Sequence, residues 1–343
     1  MFRENVELRD RFDVNNILKY FTPPEVLQKY LAGGLCGHDK DGSPIRIELF
    51  GRLDMKGLMY SARKMDMEKT KILQCEMIVE DCRKQSQKLG KKVDQLTVIF
   101  DMEGVSSKML WKPGLQMYMH LVSILEDNYP ELLKRMFVVN APSIFPVLYK
   151  ICRPLISEDM KLKIHVLGSN YTETLLKYID PEELPVFLGG KMKDADGNPK
   201  CESLICQGGV VPQSYYLKDN QDMSQFKEIV VPNGEKVNLF FKVDKINTIL
   251  SWEFQTEDFD IGFGVLIQED GKTVPVVESE RVNSHMVPQD GTYTCKQTGT
   301  YVICFDNSFS WARDKKVKYN VDVMVDDDCL KSEIETLIDE ETQ

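Results

Sequence analysis

The sequence predicts a mixed α/β domain followed by an all-β domain, and three observations indicate this division. Up to about residue 207, helical segments alternate with short apolar runs, and no tight hairpin turn joins one run to the next. That alternation is typical of a mixed, largely parallel sheet with covering helices. From residue 225 onward, short alternating strands separated by turn residues predict a β-sandwich. At 343 residues the chain is long enough for two domains with separate cores.

The first predicted domain spans residues 12–207 and opens with helical segments, one of which starts at Pro24. A strand is predicted at residues 45–50, and an amphipathic helix at 61–89 ends at Gly90. The further predicted elements are strands at 96–101, 136–139 and 164–167, a helix ending near 127, and helices at 143–156 and 171–179.

A composition shift separates the second domain from the first. A linker is predicted at residues 208–224, the β-sandwich at 225–325 and an acidic tail with at most a weak helix at 326–343. Within the sandwich a basic segment containing Arg313 and Lys315 follows Trp311. A solvated loop is the preferred interpretation of that segment, and contact with membrane headgroups or a protein partner is the alternative.

The composition excludes several classes of protein. Apolar residues make up 42% and charged residues 28%, as in ordinary soluble globular proteins. No run approaches the roughly 18 apolar residues of a membrane-spanning helix, and the N-terminus is too charged for a signal peptide. The net charge of −11 argues against nucleic-acid binding. We therefore expect a cytoplasmic protein, on which any attraction to anionic membranes comes from a local basic patch.

The chemistry-bearing residues form no legible catalytic or metal-binding arrangement. The nine cysteines lack zinc-site spacing, and without a signal peptide they are expected to be reduced thiols. The segment 37–42 resembles part of a calcium loop, but a turn before a strand is the preferred interpretation. Neither a G-x-S-x-G elbow nor a phosphate-binding loop occurs. We expect a protein without enzymatic activity, cofactor or metal.

The segment 143–156 is the most informative part of the chain. It looks helical and is apolar nearly all round, so it must be buried in protein or placed against lipid. We interpret it as a lid over an apolar cavity, with an ordinary core helix as the alternative. Nearby cations are expected to meet anionic lipid. The lid residues are Ile144, Phe145, Val147, Leu148, Ile151, Cys152 and Leu155, and the cations are Lys150, Arg153 and Lys161.

Two sets of short motifs resemble known families. The strings Y-P-E, N-A-P, F-P, R-P-L and K-I-H-V-L-G between residues 129 and 168, with V-I-F-D-M-E-G before them and L-P-V-F-L-G-G after, resemble the CRAL-TRIO lipid-transfer family. The strings L-S-W-E-F, D-I-G-F-G-V, Y-V-I-C-F-D-N-S-F-S-W and a D-G-T-Y-T turn resemble a GOLD domain. The resemblance covers about residues 12–325 and implies an α/β lipid-binding domain followed by an all-β GOLD sandwich.

The resemblance also implies a binding site. Glu131 and Lys163 match a glutamate and a lysine that hold the inositol phosphate in phosphoinositide-binding members, although a structural ion pair is an equal alternative. Leu96 and Val98 stand where phosphatidylcholine-binding members carry hydroxyl residues, which favours a tocopherol or a squalene-like isoprenoid. The expected lipid-binding residues are Glu131, Lys163, Leu96, Val98, Phe100, Tyr118, Phe145, Leu148 and Ile151.

The implied function is that of a lipid carrier. It would bind one hydrophobic ligand and exchange it at a membrane surface through the 143–156 gate, with a secretory-pathway protein as partner of the GOLD domain and the Golgi as one location. The alternative is a lipid-sensing adaptor of the secretory pathway. Family members begin with a bundle of about three helices, of which this sequence holds only the last, so we expect exposed apolar surface that favours association.

Overall fold

The structure, a computed structural model, describes residues 2–217, 226–269, 272–285 and 288–325. It divides into two compact units, whose described residues are 2–217 and those from 226 to 325. The predicted acidic tail lies outside the described residues. The predicted linker, 208–224, is described only to residue 217.

The described part of that linker packs against the first unit. The backbone N–H of Gly209 donates to the carbonyl of Arg52 at 2.8 Å, and the N–H of Val211 donates to the Asp54 carboxylate at 2.9 Å. Val211 is buried. The glycines and proline of this stretch resemble a flexible linker in sequence, but the buried valine ties residues 208–217 to the α/β unit.

The first unit contains the predicted alternation of helices and strands. The long helix begins at Lys64 rather than at residue 61, because an extended Arg63 separates it from a shorter helix before it, and it ends at Gly90 with φ 64°. In chain order the described elements are α1 Phe2–Arg11, α2 Ile17–Tyr20, α3 Glu25–Tyr30, β1 Gly33–His38, β2 Pro44–Leu49, α4 Met55–Ser61, α5 Lys64–Leu89, β3 Leu96–Asp101, α6 Lys112–Asn128, β4 Leu133–Val139, α7 Phe145–Cys152, α8 Glu158–Lys161, β5 Ile164–Val166, α9 Tyr171–Tyr178 and β6 Ile205–Cys206.

The strands described in this unit form a six-stranded sheet in the order β5-β4-β3-β2-β1-β6. Neighbours from β2 to β5 are parallel, whereas β1 pairs antiparallel with both β2 and β6. This confirms the mixed, largely parallel sheet. Strands β1 and β2 form a hairpin through a five-residue connection, which has no two-residue turn signal in the sequence.

That connection is closed by a buried carboxylate. Asp39 accepts hydrogen bonds from the backbone N–H groups of Asp41 and Ser43, from the hydroxyl of Thr97 on β3 at 2.8 Å, and from the ammonium of Lys134 on β4 at 2.8 Å. The carboxylate therefore joins the hairpin to the two central strands. The segment 37–42 is a turn, as preferred, and the described residues contain no cluster of metal-ligating side chains.

The two faces of the sheet are packed differently. Side chains of successive strand residues point to opposite faces. On one face Phe137 contacts Tyr178 of α9, with ring centroids 5.3 Å apart, and Ile99 is fully buried. On the other face Leu96 and Val98 pack against residues of α5. Because α6 also packs on α5, this second face lies beneath a two-helix layer.

The second unit consists of two four-stranded antiparallel sheets, ordered β11-β10-β13-β8 and β12-β9-β14-β7, which confirms the all-β prediction. Its core contains stacked rings of Phe254 and Phe263, 4.5 Å apart. The D-G-T-Y-T string is a strand rather than a turn, because it pairs along its length with the strand that carries Trp252. Gly291 lies opposite Trp252, whose ring leaves no room for a Cβ atom there. The strands are β7 Lys227–Val231, β8 Lys236–Val243, β9 Ile249–Thr256, β10 Ile261–Glu269, β11 Lys272–Val282, β12 Gln289–Thr294, β13 Gly299–Asp306 and β14 Lys315–Met324.

We predict that Lys134→Met destabilises the first unit. The side chain of Asp39 is 1% exposed, so removal of the ammonium leaves a buried charge without its ionic partner, at a cost of about 3 kcal/mol in the free energy of unfolding. Chemical denaturation measures this cost. The matched control is Lys191→Met, whose ammonium forms an exposed pair with Glu182 and whose loss should leave stability nearly unchanged. Equal effects of the two substitutions would contradict the role of Asp39.

Candidate functional site

A cavity of about 400 Å³ lies between the α5–α6 layer and the sheet face that carries Val98. This volume is in the range of about 300–1,000 Å³ that is typical of small-molecule sites. Its wall is apolar along the middle of the sheet. Both helices contribute apolar side chains and also polar ones, which are Lys71 and Gln74 of α5 and Glu126 and Asp127 of α6. The apolar and aromatic lining residues are Cys75, Ile78, Leu96, Val98, Phe100, Tyr118, Val122, Leu125, Tyr129, Pro130, Leu132, Leu133, Met136 and Met160.

Most of the expected lipid-binding residues line this cavity. Strand β3 contributes alternate side chains to its floor, and α6 contributes Tyr118 opposite them. The lining residues among those expected from the sequence are Leu96, Val98, Phe100, Tyr118, Glu131 and Lys163. Phe145, Leu148 and Ile151 do not line it in this conformation: Phe145 packs on Tyr149 within α7, and Leu148 is buried.

Glu131 and Lys163 meet at one end of the cavity, at the amino ends of the parallel strands. Glu131 precedes β4 with φ 62°, and Lys163 precedes β5, where its carbonyl accepts the N–H of Met136 at 2.7 Å. The Lys163 ammonium lies 3.0 Å from the Glu131 carboxylate. Glu131 is 75% exposed, so the pair contributes little to stability. The geometry is compatible with a headgroup site and with a structural ion pair.

The predicted gate is a shorter helix than expected. Helix α7 covers Phe145–Cys152 and is followed by a 3-10 turn at Arg153–Leu155, because Pro154 cannot continue the α-helical hydrogen bonding. Val147 and Leu148 are buried, and Ile144, Phe145, Ile151 and Cys152 are half-buried, so no gate side chain that the structure describes faces solvent fully. The side chain of Leu155 lies outside the described part of the chain.

The three cations expected to meet membrane lipid are not equivalent. Arg153 is exposed and Lys150 is half-buried. Lys161 is buried, and its ammonium lies 2.7 Å from the carboxylate of Glu158 in the same turn of α8. Lys161 therefore does not face solvent in this conformation, and its contact with membrane lipid stays a prediction.

A charged cluster at the other end of the cavity was not identified from the sequence. Arg46 and Glu48 lie on β2, and Lys71 and Gln74 lie on α5. The Arg46 Nε donates to Glu48 Oε1 at 2.7 Å, and the Lys71 ammonium lies 3.2 Å from the same oxygen. In the 45–50 strand the charged residues of R-I-E alternate with an isoleucine, a pattern that is typical of a strand with one face in solvent. These polar side chains could have been expected to point inward only from the prediction that helices cover the sheet.

The cluster has perturbed protonation equilibria. Burial alone would raise the pKa of Glu48, but Arg46 and Lys71 outweigh it and hold the pKa at about 2. Burial, reinforced by Glu48 and Cys152, raises the pKa of the Tyr118 phenol well above its ordinary value. Burial also raises the pKa of the Cys152 thiol to about 11. At neutral pH Glu48 is therefore charged, and Tyr118 and Cys152 are neutral. Because Cys152 of α7 affects the pKa of Tyr118, the gate helix comes close to this end of the cavity.

These features define an α/β protein that encloses an apolar ligand space and carries a separate β-sandwich. The sequence profile of the CRAL/TRIO domain matches residues 28–190, and that of the emp24/gp25L/p24 family/GOLD matches residues 228–342. The chain therefore contains a CRAL/TRIO domain followed by a GOLD domain, a combination that supports a lipid-binding and lipid-transfer protein. Among the helices that the structure describes, none is both long and apolar enough to cross a bilayer.

Two proteins are similar to this chain over different shares of its length. Protein ctg-1 of Caenorhabditis elegans is 28% identical over 331 residues, which cover 94% of this chain and 85% of that protein. The crystal structure of Sfh5 is 20% identical, covers 62% of this chain and 71% of that one, and superposes with a TM-score of 0.45.

We predict that the stabilising effect of ionised Glu48 persists far into the acidic range. Because its pKa of about 2 lies below the ordinary glutamate value of 4.5, the carboxylate stabilises the fold above pH 4.5, and the effect is lost as the pH falls toward about 2. Unfolding free energies of the wild-type and Glu48→Gln proteins should differ by a constant amount between about pH 7 and 5 and converge below. Convergence that starts near neutral pH would show that burial, rather than the two cations, controls this group.

Proposed function

We propose that the chain is a non-enzymatic lipid carrier that binds one hydrophobic ligand in the 400 Å³ cavity and exchanges it at membranes. The observation that carries this proposal is the apolar wall of that cavity inside a CRAL/TRIO domain. Apolar lipid surface that enters such a cavity is removed from water at a gain of about 25 cal/mol per Å². The polar groups at its two ends orient a ligand rather than react with it.

We infer the ligand class from the side chains of the cavity wall and from the Glu131–Lys163 pair at its outer end, which we call the mouth. Leu96 and Val98 give the floor no hydroxyl groups, which suits a tocopherol or a squalene-like isoprenoid. Glu131 and Lys163 stand at the outer end, where a phosphoinositide headgroup would meet an ammonium and a hydrogen-bond acceptor. In this proposal Lys163 leaves Glu131 and pairs with phosphate when an inositol lipid enters.

Exchange requires a moving element, and α7 is the one that we propose. Its apolar side chains are covered in the closed conformation, and the same side chains would enter the bilayer interface when the helix swings out. Arg153 is already exposed beside it, and each cation near an anionic surface contributes about 1 kcal/mol. The protein is thus cytoplasmic with transient peripheral membrane contact.

We predict that Lys163→Ala lowers loading with phosphatidylinositol and spares loading with tocopherol or squalene. The substitution removes the ammonium at the mouth and leaves the apolar wall intact, so a charge-assisted contact worth about 1.5–3 kcal/mol is lost for the inositol lipid alone. Quantitative mass spectrometry of lipids bound after incubation with mixed vesicles measures the ratio. Lys191→Ala removes an exposed cation elsewhere in the unit and is the control. Equal losses for all ligands would show that the pair is structural.

We predict that Phe145→Asp slows lipid transfer between vesicles and weakens vesicle binding together. A carboxylate on α7 opposes insertion of the helix into an anionic interface, because the charge would have to leave water there. Fluorescent-lipid transfer and vesicle co-sedimentation measure the two effects. Val210→Asp places the same charge on an exposed valine outside α7 and should change neither. Unchanged transfer by a folded Phe145→Asp protein would move the gate to another element.

The second candidate function is a lipid-sensing adaptor that acts through the GOLD domain at secretory-pathway membranes such as the Golgi. One observation favours it: Trp311 is 95% exposed, near a guanidinium of Arg313 that stacks over Phe259 at 4.5 Å. Lys315, expected in the same basic segment, instead is buried against Asp260. Lipid loading that changes partner binding without any transfer between vesicles would favour the adaptor over the carrier.

A further inference from the structure

We propose that the inner end of the cavity binds the carboxylate of a long-chain lipid acid through Arg46 and Lys71. This inference rests on the proposed function and narrows its ligand class. It places the polar group of the ligand inside the protein, at the end opposite Glu131 and Lys163, and the hydrocarbon chain along the apolar wall between the two ends.

The cluster has a surplus of positive charge in a buried place. Arg46 and Lys71 share one carboxylate oxygen of Glu48, so two cations face a single anion. The side chains of Arg46, Glu48 and Lys71 are 7%, 15% and 13% exposed. A single arginine–glutamate pair would already be neutral. The second cation adds a charge whose burial costs free energy unless a further anion is supplied.

The cluster also has unused hydrogen-bonding groups. Among the residues that the structure describes, Arg46 donates only through Nε, although a guanidinium has two further nitrogens with N–H groups. Lys71 has one acceptor, Glu48. These groups line the cavity, where a carboxylate would accept from both cations.

The position of the cluster sets the direction of the ligand. In the parallel pairing of β2 with β3, Arg46 lies beside Val98 and Glu48 beside Phe100. From there the floor continues through Val98 to Leu96, which lies at the amino end of β3 near the mouth. A chain anchored at Arg46 therefore runs along apolar side chains toward Lys163.

The chemistry selects a carboxylate on a single chain. A volume of about 400 Å³ is near the lower end of the range for small-molecule sites, which suits one hydrocarbon chain better than two. A single negative charge neutralises the surplus of the cluster. A pure hydrocarbon such as squalene offers no acceptor and would leave the donors of Arg46 and Lys71 unsatisfied.

The test compares two ligands that share a chain and differ only in the end group. Oleate carries a carboxylate, and oleyl alcohol carries a neutral hydroxyl. Titration of the full chain with each, followed by displacement of a fluorescent fatty acid, should show oleate binding at least about tenfold more tightly. Squalene serves as the ligand without any polar end.

Two substitutions change the charge of the cluster in opposite directions. Lys71→Met makes it neutral and should reduce the preference for oleate over the alcohol by about tenfold or more, whereas Glu48→Gln makes it more positive and should preserve or increase that preference. Lys191→Met removes a cation outside the cavity and should leave the preference unchanged. Thermal unfolding of each variant separates loss of binding from loss of fold.

The outcomes separate this inference from the proposed function. Tighter binding of oleate, with opposite shifts in the two variants, supports the inference. Equal affinity for oleate, oleyl alcohol and squalene would overturn it and leave the carrier function standing. Tighter binding of phosphatidylinositol than of oleate would also overturn the inference and leave the carrier function standing, because the polar headgroup would then lie at the mouth. Absence of binding by every lipid in a folded protein would overturn both.

Discussion

The central constraint of this structure is that one face of the six-stranded sheet is filled while the other borders an open space. A cavity collapses unless the elements around it are held apart by contacts that do not depend on its contents. Here the filled face supplies such contacts through Ile99 and Phe137, which are fully buried. The Asp39 carboxylate adds a second constraint, because it joins the β1–β2 turn to Thr97 on β3 and Lys134 on β4. The register of the strands beneath the cavity is thereby fixed.

The two ends of the cavity differ in exposure, and this difference gives a bound lipid a direction. At the mouth, the Glu131–Lys163 pair is largely hydrated, so a ligand group can replace one partner at small cost. At the inner end, Arg46 and Lys71 are removed from water, so their interaction with an anion is stronger and its absence more costly. A lipid with one acidic end gains more from the inner end, whereas a lipid with a large headgroup can be accommodated only at the mouth.

Much of the fold could be predicted from the sequence because it follows from local patterns. Strand 96–101 was predicted with its observed bounds, since a short, mostly apolar run rich in β-branched residues is typical of a buried strand. The β1–β2 hairpin could not be predicted, because a buried side chain from another strand, Lys134, stabilises its connection. Strand β11 was missed because its side chains are mostly exposed and carry no apolar alternation.

Only one end of the candidate site could be predicted from the sequence, and there is a physical reason why the other end could not. The resemblance located Glu131 and Lys163, and the structure places them 3.0 Å apart; their role in binding stays a prediction. The Arg46 cluster was not found, because its members lie on β2 and α5 and come together only when the helix covers the sheet. Charged residues at alternate positions of a strand, taken alone, indicate a solvent-exposed face. They indicate a polar cavity only when that face is known to be covered by another element.

In the proposed carrier, the burial of α7 would link ligand exchange to the membrane surface. In the closed conformation Val147 and Leu148 are removed from water, and opening in solution would expose them at a cost of about 1.5–3 kcal/mol for each side chain. At a bilayer interface the same side chains enter an apolar environment, so most of that cost disappears. In the proposed carrier, opening of α7 would therefore be rare in water and favoured at the membrane. A carrier built in this way retains its lipid during diffusion and exchanges it only where a second apolar phase is present.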